Sequence, residues 1–148
     1  GVSDDIRTAV RTTVQRIALG AISPTEGMQI VSRFLLTRDP SSRRIVGGIA
    51  LRAETIVRTE VQRAHAMAQQ GRLEQMIASV PGMRKQWLAA RDNRTRPAHL
   101  AADGQIVAID KPFVVGGEKL SYPLDPAGSA ANTVSCRCRA TPILPNIE

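Results

Sequence analysis

The sequence predicts an α+β fold, with a helical N-terminal half containing one long helix and a small, loop-rich α+β C-terminal unit. Three observations predict it. Apolar residues recur at helical spacing through the first half. Pro81-Gly82 is a turn signal at which that pattern stops. Beyond it, short alternating stretches lie between clusters of glycine and proline. The boundary divides a helical segment, 1–80, from an α+β unit, 81–148, which together are expected to form one compact domain.

The first helix starts at Asp4 and Asp5, whose charges suit a helix N-terminus, after the candidate cap Ser3. Ile6, Val10, Val14 and Ile17 form its stripe, and Gly20 ends it. Ser23-Pro24-Thr25-Glu26 combines a capping box with proline in the first turn and opens a second helix. Met28, Val31, Phe34 and Leu35 are its apolar face, and Asp39-Pro40 stops it. A third helix is expected from Ser42 to Gln70, with Ile49, Ala53, Ile56, Val57, Val61, Ala64 and Ala68 on one face. Gly47 and Gly48 near its start favour close packing. Gly71 reads as a break, followed by a helical turn or two over Arg72 to Ser79.

In the second half, 86–90 and 105–109 read as strands. Pro112, Gly116, Gly117, Pro123, Pro126 and Gly128 make the next stretch loop-rich, with short strands at most. Residues 136–141 alternate as a final strand would, and the tail through Pro142 to Pro145 should leave the domain in extended form.

Composition narrows the function. The 148 residues are 43% hydrophobic, enough for a packed core, but aromatics are only 3%, so Ala, Val, Ile and Leu must build it. No apolar run reaches the roughly 18 residues of a membrane span. The stretch from Ile17 to Thr25 holds Gly20, Ser23 and Pro24 and does not read as a signal peptide. The chain begins with Gly1 rather than methionine, as a processed chain or a fragment would. Net charge is +7, which favours acidic partners: nucleic acid or an acidic protein surface. There is no run of five basic residues and little to stack on bases, so DNA contact would be non-specific.

Glu60 interrupts the apolar face of the third helix. It either pairs with an arginine, expected to come from the Asp92 to Arg96 loop, or sits at the edge of the stripe and reaches water. His65, among charged and Gln residues, reads as a surface histidine.

Four polar clusters carry the chemical information. They are Trp87 with Asp92-Asn93-Arg94-Thr95-Arg96-Pro97-Ala98-His99; Asp103-Gly104-Gln105; Tyr122-Pro123-Leu124-Asp125-Pro126; and Cys136-Arg137-Cys138-Arg139. On a strand, Cys136 and Cys138 would share a face. Two thiolates and the imidazole of His99 are ligand types that zinc prefers, with Asp92 as a candidate fourth ligand. The other reading is two small buried thiols with His99 hydrogen-bonded nearby, and Asp92 with the nearby arginines fastening the cluster through charge-assisted hydrogen bonds. In either case His99 and the cysteine pair are expected to lie together. A disulfide between Cys136 and Cys138 would close a very small loop and tether nothing distant, which favours a reducing compartment. The nucleophile-elbow, zincin, P-loop and deaminase patterns do not occur. Asp92 and His99 alone make only a potential acid/base pair.

These residues resemble the phage Mu F-like minor head family, which includes the SPP1-type head morphogenesis proteins. Residues Ala53 to Glu60 resemble its A-R-T-E helix. Trp87 to Gln105, with Asp92, Arg94, Thr95, Arg96, His99 and Gly104, resemble its W…D-x-R-T-R-x-x-H…G block. Asn132 to Arg139 resemble its closing N-C-R-C block, with Ser135 in place of the usual asparagine. Many members carry C-x-x-C, resembling half of a four-cysteine metal site, where this chain has Arg96 and His99. The resemblance implies a structural minor capsid protein, not an enzyme. It implies the portal and other head proteins as partners, non-specific contact with packaged DNA, and residence in the virion after assembly in the host cytoplasm. The alternative from the residues is a metal-dependent hydrolase or nuclease built on Asp92, His99, Cys136 and Cys138.

Overall fold

A computed structural model describes residues 4–38 and 46–145. Its element order is α1 (Asp4–Ala18), α2 (Pro24–Arg38), α3 (Val46–Met76), β1 (Arg84–Leu88), α4 (Pro97–Ala102), β2 (Ile106–Ala108), β3 (Phe113–Val115), β4 (Glu118–Leu120), α5 (Ala130–Thr133) and β5 (Arg139–Ile143). This is the α+β mixture expected, with helices leading. Ser3, Asp39 and Pro40, and the expected start of the third helix at Ser42, lie outside the described residues.

The chain divides into two compact units within α3, Gly1–Val61 and Gln62–Glu148. In the first, α2 opens on the expected capping box. The Glu26 amide donates to Ser23 Oγ at 3.2 Å, and the Ser23 amide donates to Glu26 Oε2 at 2.7 Å. That second bond is the main reason the Glu26 carboxyl lies below its ordinary range. Val31, Leu35, Ala53 and Val57 form the core, with Ile6, Val10, Ile17 and Met28 packed on it. Gly27 is buried, and a Cβ there would stand 2.5 Å from Ile17 Cδ1, so α2 approaches α1 closely.

The expected break at Gly71 does not occur; α3 continues to Met76. One glycine in a helix costs only about 1 kcal/mol, which the packing of Leu73 and the buried Gln70 on either side outweighs. Ala64 and Ala68 are exposed, as is His65. In the second unit the helix turns Ala66, Gln70 and Leu73 inward instead.

The second unit holds a three-stranded antiparallel sheet of order β2-β1-β5 and the hairpin β3-β4. β1 begins two residues earlier than the periodicity predicts, and β5 begins only at Arg139, after both cysteines. The tail does not leave the domain at Pro142. That residue pairs with Lys85 within β5, an edge strand on which a missing N–H is tolerated. Trp87 and Phe113 are fully buried at the centre of this core, with rings edge to face at 5.3 Å. A core built from aliphatic residues alone is therefore corrected here, because two aromatics supply large buried areas.

Candidate metal centre

Three segments converge beside Trp87. The first follows β1, where the left-handed Arg91 (φ 58°) turns the chain away from the sheet. Asp103 anchors this exit, accepting the Ala89 amide at 2.8 Å and Arg91 Nε at 2.6 Å. The Ala89 bond, then Arg91, holds the Asp103 carboxyl below its ordinary range. Asp92 then closes a tight turn: its Oδ1 accepts the Arg94 amide at 3.0 Å and Thr95 Oγ1 at 3.1 Å.

The second segment is α4, which sequence reasoning missed because Asp92 to His99 reads as a polar turn. Pro97 sits in its first turn, which it favours, and the helix is only 6 residues long. His99 is buried on it, edge to face with Trp87 at 5.7 Å. Gly104, at φ 80°, ends the turn after α4, and its amide donates to the Trp87 carbonyl at 2.9 Å.

The third segment follows α5. The Cys136 amide reaches back to the Thr133 carbonyl at 3.2 Å, and Ser135 is left-handed at φ 56°. The cysteines therefore lie on a turn and the extended run after it, not on a strand face as expected. Both are nevertheless buried, reduced and together.

His99 joins them, as expected. Its Nδ1 stands 3.3 Å from Cys138 Sγ and 3.6 Å from Cys136 Sγ. Each of the trio offers one ligand atom, and these three atoms lie within 4.8 Å of one another. The Cys136 thiol is pushed down to about 6, first by its hydrogen bond with Cys138 and also by the charge of His99. The same bond and burial push the Cys138 thiol up.

Asp92 is not the fourth member. It forms a two-pronged ion pair with Arg137, one arm being Arg137 Nη2 to Oδ1 at 2.6 Å. That guanidinium is the main reason the Asp92 carboxyl lies far below the ordinary carboxylate range. Arg96 donates to the Val134 carbonyl at 2.5 Å, and Arg94 is exposed. Two arginine contacts therefore fasten the Asp92–Arg96 turn to the Val134–Arg137 stretch. Glu60 is half-buried on α3, in the other unit.

Sequence reasoning also missed Lys85. It is fully buried on β1, donating to the Ser121 carbonyl at 2.6 Å and Gln70 Oε1 at 3.2 Å, over the Phe113 ring. Burial lowers its pKa. The inward alternation Met83, Lys85, Trp87, Ala89 is the signal that places it inside.

Among curated proteins, the chain is similar to the NAD(+)–arginine ADP-ribosyltransferase EFV of Enterococcus faecalis. The two are 31% identical over 93 residues, 63% of this chain and 19% of that protein. It is also similar to the uncharacterized protein YqbB of Bacillus subtilis, 31% identical over 97 residues, 63% of this chain and 31% of that protein. The chain thus spans less than a third of either relative. No solved structure matches it. The family model described as "Phage Mu protein F like protein" matches residues 7–141, from the first turns of α1 into β5, and the chain belongs to that family.

Proposed function

We propose that the chain is a structural component of a bacteriophage head, acting in head morphogenesis beside the portal and contacting packaged DNA through its positive charge. The observation that carries this reading is the family match over residues 7–141, which takes in both motif blocks. The site supports it. Asp92, Arg96, Asp103 and Arg137, the conspicuous polar groups of the motif, all bind other parts of the same unit. An acid/base role for Asp92 has no support, because its carboxylate is held by Arg137, Arg94 and Thr95. The net charge of +7 suits an electrostatic partner.

The test is mass spectrometry of purified virions of a phage that carries this gene, together with pull-down of its portal protein by the tagged chain. The protein should be present in the virion and should retain the portal. Its absence from virions, with no capture of portal, would sink the reading.

A further inference from the structure

We propose that His99, Cys136 and Cys138 bind one zinc-class divalent cation, with His99 Nδ1 and two thiolates as ligands and a fourth position left to a solvent-sized ligand. This inference does not depend on a role in the phage head.

Distances carry it first. Tetrahedral zinc holds imidazole nitrogen at about 2.0–2.1 Å and thiolate sulfur at about 2.3 Å, which sets nitrogen and sulfur about 3.6 Å apart. Here one ring nitrogen stands 3.3 Å and 3.6 Å from the two sulfurs. A single N–H aims at one acceptor, whereas a shared cation places both sulfurs at similar range. The ligands are already gathered and buried, so binding requires little reorganisation.

The surroundings suit two thiolates. The Ala90 amide is hydrogen-bonded to Cys138. Arg96 and Arg137 stand on the rim but are occupied by the Val134 carbonyl and Asp92, so they brace the walls and leave the ligands free. Two thiolates and a divalent cation are together neutral, so the arginines do not oppose the loaded site. Thiolate with imidazole selects zinc over the hard cations. A cavity of about 10 Å³ touches all three ligands and is lined also by Ala90, Thr95 and Ser135. That is near the smallest space that holds one water, so the fourth position is small. The ligands come from α4 and from the stretch after α5, so the cation would act as a clip between them.

Untagged full-length chain, purified with reductant, would be analysed for metal, stripped with chelator, and reloaded with Zn²⁺ or Co²⁺. One equivalent should bind. Cobalt should show thiolate charge transfer in the near ultraviolet and the intense visible bands of a tetrahedral centre. Thermal stability should rise with zinc. His99→Asn, Cys136→Ser and Cys138→Ser should each weaken zinc by more than the roughly 10–100-fold that loss of an outer hydrogen-bond partner costs. Stripped wild type that takes up no stoichiometric metal, or cobalt bound without thiolate charge transfer, overturns the proposal whether or not the variants fold. So does unchanged affinity in any folded variant.

Discussion

Asp92 closes its own turn and reaches across to Arg137, and both tasks need its charged form. Its pKa is depressed in the folded protein, so the stabilisation it brings is complete above the ordinary aspartate range, near about 3.9. It is lost as pH falls from there through the folded value. Asp92→Asn should therefore lower the urea midpoint at neutral pH and flatten its decline on acidification; an unchanged acid limb would show that the pair contributes nothing. Trp87 is fully buried between His99 and Phe113. Trp87→Ala should cost about 3–5 kcal/mol, visible as a large loss of denaturation midpoint. A cost under about 1 kcal/mol would mean that the core collapses into the space.

At the scale of elements, short connections position the site. Gly104 sits at φ 80°, and a Cβ there would meet only Gln86 Nε2, at 3.9 Å. Its cost is therefore conformational and not steric. Gly104→Ala should destabilise by about 1–2 kcal/mol, read as a lower urea midpoint with unchanged slope. The capping box of α2 is exposed and local, so Ser23→Ala should cost about 1 kcal/mol. An effect of that size should appear in hydrogen exchange of the first turn of α2 if α1 and α2 form the cooperative unit their core suggests.

For the molecule as a whole, charge is the property that partners meet first. With +7 and no base-reading element evident in the sequence, duplex DNA should bind without sequence preference. Fluorescence anisotropy across a salt series should show log K falling linearly with log salt, by about 0.9 per phosphate contacted. Strong discrimination between duplexes at fixed salt would contradict this. Among the described residues, no helix is long and apolar enough to cross a membrane.

Local chemistry determined much of this in advance. The capping box of α2, the stripe of α1, the turn at Pro81-Gly82 and the α+β class follow from spacing and turn residues, because those forces act within a few positions of the chain. The meeting of His99 with Cys136 and Cys138 was legible from ligand type and motif order. That Asp92 would bond an arginine was legible too, but which arginine was not. Arg137 lies in a different motif block, and a bidentate pair depends on where two turns are held in space. The continuation of α3 through Gly71, the entry of Pro142 into an edge strand and the burial of Lys85 were likewise decided by tertiary packing. Packing outweighed a local propensity cost of about 1 kcal/mol at Gly71, and strand pairing accepted Pro142 at the sheet edge. At Lys85, a neighbouring amide and a carbonyl supplied the bonds that burial removed.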